Sequence, residues 1–446
     1  MRWLLLLAIG LTLSLVLQSG LLAYALYVLI GLTLIVRYIA RAGVDQLAAV
    51  RVCPTAPQQV GNRLEVRVQL TNTGPVLVPW ILLEDLLPAS ALRVGAAKLK
   101  VTGKRLKLVL LWPGASTTVK YTLEFLTRGY HQIGPLVLEG GDLFGLHRRH
   151  RVLAPPVYVQ VFPPVVPLTG YDIASRRPVG EVRLLHRLYE DPTRHAGIRP
   201  YQPGDPLQRV HWRATARTGE LHCKLYDPTT LAGVSVLLDL ADANYPPAHE
   251  PYRSDLAVQV ATAICHAVSV LNQPVGLASN ARDAADRLPV PVNVDAFTAR
   301  AAARDAVSMN DASTRRRPVL IETRRGVEQF GRIHAFLARA ELSDGLSFAQ
   351  LVNEVRARLP RSATALAILT AISAETAVTI GSLRRSGFAV SVVLVGVPPA
   401  EREEALGRLL AEGVRDVRFV NQPADLAGLC QPLTARGSAY AVGLGL

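Results

Sequence analysis

The first part of the chain is apolar almost without interruption, and residues 3–36 carry no charged side chain. One helix over that stretch would run roughly 50 Å at 1.5 Å per residue, well beyond a hydrocarbon core of about 30 Å. Gln18-Ser19-Gly20 divides it into Trp3–Leu17 and Leu21–Val36. The pattern therefore predicts a two-helix transmembrane hairpin over residues 1–44. The run is too long for the apolar region of a secretory signal and lacks a convincing cleavage site. Arg2 precedes the first helix, Arg37 and Arg41 follow the second, and the turn between them is uncharged. The positive-inside rule then places both ends in the cytoplasm. The expectation is a multi-pass protein of the inner (cytoplasmic) membrane with its remaining domains on the cytoplasmic side. A single long tilted helix would send them to the other side.

The period changes over residues 45–165. Leu64, Val66, Val68 and Leu70 alternate with Glu65, Arg67 and Gln69, and Val119, Tyr121, Leu123 and Phe125 share one face of Thr117–Phe125. Alternation of this kind predicts half-buried strands. Turn signals recur at Asn72-Thr73-Gly74-Pro75, Pro113-Gly114, Gly134-Pro135 and Gly140-Gly141. Many short antiparallel strands imply an all-β sandwich domain.

From residue 231 to 446 the texture becomes α/β. Gly233–Leu240 is a continuous apolar run of the kind found in buried parallel strands. Pro274–Ala278, Pro318–Thr323, Thr364–Thr370 and Ala389–Gly396 are further strand candidates. Leu256, Val260, Ile264 and Val268 recur every four residues within Ser254–Leu271, and Val327–Ala340 and Ala374–Ser386 are also helical in pattern. Strands alternating with helices predict an α/β parallel sheet with right-handed crossovers.

Between these two domains, residues 166–230 form a connecting segment, and Arg199–Asp227 is its densest chemistry. Pro203-Gly204 marks a turn. Asp205 is placed to cap a helix with Pro206 at its first position, and Gly219 is placed to close it. Leu207, Val210 and Ala214 would form an apolar stripe, and Arg209, Arg213 and Arg217 a cationic row on another face. A strand follows, with Leu221, Cys223 and Leu225 alternating against His222, Lys224 and Tyr226. The arginine row either grips carboxylates or phosphates or pairs with Asp205, Glu220 or Asp227 to pin the domains.

Composition narrows the partners. The formal charge is +14, which points to acidic lipid, an acidic protein or nucleic acid unless the arginines are simply solvated. Low aromatic content, 6%, and missing recognition motifs argue against nucleic acid. The basic turn His147–Arg151 reads as solvated or as a contact for a phosphate or headgroup. The cysteines at 53, 223, 265 and 430 form no C-x-x-C pair and no zinc spacing. No phosphate-binding loop, His-Glu-x-x-His or Gly-x-Ser-x-Gly occurs. Cys223 with His211 or His222 and Asp205 makes a conceivable thiol–imidazole–carboxylate set, but its place on the apolar side of the strand favours a buried structural cysteine.

The segment also resembles the family known as domain of unknown function fifty-eight, whose pattern is close to R-x-Y-x-x-G-D-x-x-R-x-x-x-W-x-x-T-A-R. Arg199, Tyr201, Gly204, Asp205, Arg209, Trp212, Thr215, Ala216 and Arg217 occupy it here. Family members often have an extra residue between the Asp and the Arg, and His211 stands just before the Trp. A second block, Thr127–Arg149, is similar to the family's R-G-x-Y-x-x-G-P…D-P-F-G-L stretch, with Leu143 where Pro is usual.

With the signature before it, the α/β region resembles a von Willebrand factor A-type domain. In that fold an Asp-x-Ser-x-Ser turn binds Mg²⁺ through hard oxygens. The corresponding Asp239-Leu240-Ala241-Asp242-Ala243 lacks both serines, so a degenerate domain without metal is expected, Asp239 capping the turn; the alternative is a metal held by Asp239 and Asp242 with other ligands. The resemblance implies association with a MoxR-type AAA+ ATPase. The expected function is a non-enzymatic, membrane-anchored interaction module without cofactor. Its binding surface would comprise Arg199, Tyr201, Gly204, Asp205, Arg209, His211, Trp212, Arg213 and Arg217, and lipid would be met through the hairpin. The rival is a hydrolase or transferase using Arg199–Asp227 on an anionic substrate.

Overall fold

The computed structural model describes residues 2–18, 20–92, 97–142, 148–168, 190–202, 210–228, 233–288, 309, 317–361 and 363–429. The chain divides into two compact units. The first comprises Met1–Pro164, Arg282–Arg315 and Ala335–Glu341; the second comprises Val165–Ala281, Arg316–His334 and Leu342–Leu446.

In the first unit, helix α1 spans Arg2–Val16 and helix α2 spans Gly20–Asp45. Gln18 between them has φ +52, a left-handed turn residue that ends α1. By length and composition, α2 is apolar enough to cross a membrane. It runs on past Val36, because nothing in Arg37–Asp45 breaks a helix. Its end is held to the strands that follow. Arg151 Nη1 donates to the carbonyls of Asp45 at 2.8 Å and Leu47 at 3.1 Å, and Arg149 Nη1 reaches both carboxylate oxygens of Asp45 at 2.7 Å. A cation at the last open carbonyls of a helix complements its dipole. The basic run predicted as a solvated or phosphate-binding turn is a strand from Arg148 onward, paired along Leu138–Gly141, and two of its arginines are spent on these internal contacts; His147 lies outside the described residues.

Two four-stranded antiparallel sheets follow. Strands β1 (Leu47–Val52), β3 (Arg63–Asn72), β7 (Ser116–Phe125) and β5 (Leu99–Gly103) form one. Strands β10 (Arg148–Ala154), β9 (Leu136–Gly141), β4 (Val78–Asp85) and β6 (Leu106–Leu111) form the other. The alternation of β3 and β7 is borne out. Leu64, Val66, Val68 and Leu70 share one core with Val119, Tyr121, Leu123, Phe125, Ile81 and Leu138. Asn72 closes the predicted turn by accepting the Gly74 N–H at 3.0 Å. Within the core Asp85 pairs with Arg51 at 2.9 Å and accepts the Tyr121 hydroxyl at 2.7 Å, so this buried carboxylate is compensated.

The second unit is built on a six-stranded sheet. Its order is β17 (Val319–Arg324), β15 (Val275–Ser279), β14 (Gly233–Leu238), β19 (Ala363–Leu369), β20 (Val390–Val395) and β21 (Val417–Val420). All five predicted strands are present. The sheet is mixed, however, not wholly parallel: β17 runs antiparallel to β15. An edge strand needs only one partner and is free to take either direction, and β17 is half-exposed where β14 is buried throughout. The predicted helices appear as Tyr252–Val270, Val327–Arg339 and Ala374–Arg385. Leu256, Val260, Ile264 and Val268 are all buried. Helices Phe348–Val355 and Pro399–Ala411 and strand β21 are additional.

Candidate functional site

The signature segment forms a clasp. Strand β12 (Glu190–Pro200) pairs antiparallel with β13 (His222–Pro228), setting Arg199 opposite Cys223 and Pro200 opposite His222. The Tyr201 N–H continues the ladder to the Leu221 carbonyl at 2.8 Å. A seven-residue helix, Trp212–Thr218, lies between the strands in sequence.

That helix starts later than the sequence predicts. Val210 forms an antiparallel bridge with Cys223, which keeps the chain extended at a position the apolar stripe assigned to a helix. His211 is the N-cap of this helix: its Nδ1 accepts the Ala214 N–H at 3.0 Å; the expected cap Asp205, with Pro206 and Leu207, lies outside the described residues. Gly219 closes the helix as predicted, in a left-handed conformation with φ +79. Thr215 and Thr218 then tie the helix to β13. Thr215 Oγ1 accepts the His222 N–H at 3.1 Å, and Thr218 Oγ1 lies 3.2 Å from His222 Nδ1.

The tied face leaves another face open. Trp212 is 68% exposed, and Arg213, Ala216 and Arg217 are exposed beside it. Arg213 and Arg217 are one turn apart, as the predicted row requires, and neither has a carboxylate partner among the described residues. Arg199 and Tyr201 sit half-buried at the base of the clasp. Gly204, Asp205 and Arg209 lie outside the described residues. Cys223 is 2% exposed, a packed thiol set against Val210.

Asp239 lies at the carboxyl end of the central strand β14 and is fully buried. Its Oδ1 accepts the Asn280 side-chain amide at 2.7 Å and the Ala241 N–H at 3.2 Å; its Oδ2 accepts the Asn244 side-chain amide at 2.7 Å. The predicted turn cap is therefore real. Burial pushes its carboxyl above the usual range, and these donors pull it back. Both oxygens meet N–H donors, a surrounding suited to a carboxylate and unsuited to Mg²⁺, and Asp242 is exposed. Asn280 and Asn244, which fill Asp239's acceptor sites, carried no motif in the sequence.

The second motif block is structural. Arg128 Nη1 donates to the carbonyls of Leu337 at 3.0 Å and Ala340 at 2.7 Å, Tyr130 stacks on Tyr158 at 5.4 Å, and the Trp80 indole donates to the Asp142 carbonyl at 2.8 Å. Leu143 and Gly145 lie outside the described residues.

Residues 197–319 match the family described as "Protein of unknown function DUF58". That stretch contains the clasp from Gly197 onward and β14, so the resemblance read from the Arg199–Arg217 motif is shown. The chain is 28% identical over 225 residues to the uncharacterized protein YeaD of Bacillus subtilis (strain 168), a match covering 49% of this chain and 52% of the relative. The chain thus spans about half the length of the curated relative it matches. Among solved structures, PapD-like domain 7 of human CEP192 overlaps 26% of this chain and 82% of its own, at 18% identity and a TM-score of 0.18. A CARDB domain from Pyrococcus furiosus overlaps 26% and 91%, at 14% identity and a TM-score of 0.18. Overlaps this weak carry no argument.

Proposed function

We propose that the protein is a non-enzymatic, membrane-anchored interaction module whose clasp docks an acidic protein surface, that of a MoxR-type AAA+ ATPase. The observation that carries this reading is the exposed face of the Trp212–Thr218 helix. Trp and Arg are the side chains most enriched at binding hot spots. Here Trp212, Arg213 and Arg217 stand together on a helix whose other face is tied down, so little ordering entropy is lost on docking. A net charge of +14 favours encounter with an acidic partner. In this reading α1 and α2 form a transmembrane hairpin in the inner membrane. The six-stranded sheet is a von Willebrand factor A-like domain that binds without a metal bridge, on the cytoplasmic side.

Among the described residues the docking reading is better supported than the hydrolase or transferase reading. His211 Nδ1 is committed to a helix cap and Cys223 is packed inside the clasp, while Asp205 lies outside the described residues. Charge reversal tests the docking reading: Arg213→Glu with Arg217→Glu should reduce capture of the ATPase at least tenfold while the unfolding midpoint stays unchanged. Undiminished capture by the folded double variant would contradict it.

A further inference from the structure

The second unit has an open cleft of about 680 Å³ at the carboxyl ends of β20 and β21. Gly396 follows β20 and Asn421 follows β21, and the Gly396 N–H binds the Val420 carbonyl at 2.8 Å, holding the two strand ends together. Helices Tyr252–Val270 and Pro399–Ala411 both begin at the cleft. The second begins Pro398-Pro399, which carry no N–H, and its Glu401 N–H turns back to the Pro398 carbonyl at 3.0 Å.

Two arginines line this space. Arg253 is half-buried and has no carboxylate or carbonyl partner among the described residues. Its stem lies against Gly396, where φ is +63 and an added Cβ would come within 3.3 Å of Arg253 Cγ. Arg402 is also half-buried. Its Nε donates to the Val397 carbonyl at 3.2 Å and its guanidinium lies 5.3 Å from the centre of the Phe419 ring, which leaves its terminal N–H groups open. The nearby carboxylates are already engaged. Glu250 accepts the Ser254 N–H at 3.2 Å and the Ser254 hydroxyl; Asp425 accepts the N–H groups of Asn421 at 2.9 Å and Gln422 at 3.1 Å.

A half-buried guanidinium without a counter-ion is costly unless an anion completes it. Open α/β sheets bind ligands outside the carboxyl ends of their strands, and the volume lies within the range of small-molecule sites. We propose that this cleft binds a phosphate-bearing small ligand, gripped by Arg253 and Arg402. Two planar forks suit a multiply charged oxyanion, because each guanidinium can hold two of its oxygens. The site is separate from the clasp and does not depend on its partner.

The test is calorimetric titration of the full chain in detergent, with inorganic pyrophosphate in one arm and water-soluble short-chain phosphatidylglycerol in the other. Arg253→Gln and Arg402→Gln should each weaken binding at least tenfold, and Arg253→Lys should retain part of it. Unfolding midpoints show whether each variant is folded. Weakening in the pyrophosphate arm supports a free phosphate ligand, and weakening in the lipid arm alone supports a headgroup. Binding in neither arm, or equal binding by the folded Arg253→Gln and Arg402→Gln variants, overturns the proposal.

Discussion

At the scale of single residues, the structure assigns ordinary side chains to unexpected tasks. His211 caps a helix through Nδ1, a role no motif announces. Asp239 was legible because it directly follows the continuous apolar run of a buried strand. Its partners Asn244 and Asn280 were not, because Asn280 comes from the neighbouring strand end and only the sheet order brings them together. His131 is also a product of packing. It is 5% exposed, its Nε2 lies 3.1 Å from the Thr127 carbonyl, and burial drives its pKa down to about 4. The unfolded chain then binds one more proton than the folded chain between about pH 6.5 and 4. His131's contribution is therefore complete above pH 6.5 and is lost as pH falls, by about 3 kcal/mol in all. Denaturant unfolding at pH 7 and pH 4.5 should show this loss in the wild type and a shallower slope in a folded His131→Gln variant. Identical slopes would contradict the assignment.

At the scale of elements, patterning was a reliable guide where one face is buried. The alternation in β3 and β7 and the four-residue period in Tyr252–Val270 both became core. It failed where pairing overrode local preference. Leu207, Val210 and Ala214 fit a helical stripe, yet Val210 pairs with Cys223, and a bridged residue cannot also begin a helix. Helix Pro399–Ala411 escaped notice because only Ala405 and Leu409 are buried, too few to make a stripe. The basic run was legible as basic but not as a clamp, since its targets lie about a hundred residues earlier. Arg151 serves two main-chain carbonyls at the junction of α2 and β1. Arg151→Ala should cost about 2 kcal/mol, as expected when a charged hydrogen-bond donor is removed from half-buried acceptors. Unfolding of the full chain in detergent measures this, and an unchanged stability would show that the clamp contributes nothing.

At the scale of the whole molecule, the sequence divided the chain by period: a long apolar run, then period two, then alternating strands and helices. Those textures reappear as α1 and α2, the antiparallel sheets and the six-stranded sheet. The antiparallel direction of β17 could not be read in advance, because an apolar strand does not encode the direction of its neighbour. Function is less legible than fold for a physical reason. A docking face is defined by what it leaves unpaired, and that is visible only once every other contact is assigned. The proposed function rests on the open face of Trp212, Arg213 and Arg217 as a docking surface for an ATPase. The most direct measurement is affinity purification of the protein from its own membranes, with and without ATP, followed by mass spectrometry. Docking through this face predicts nucleotide-dependent recovery of an AAA+ ATPase that is lost with the Arg213→Glu, Arg217→Glu double variant. A purification in which no ATPase appears under either condition would contradict it.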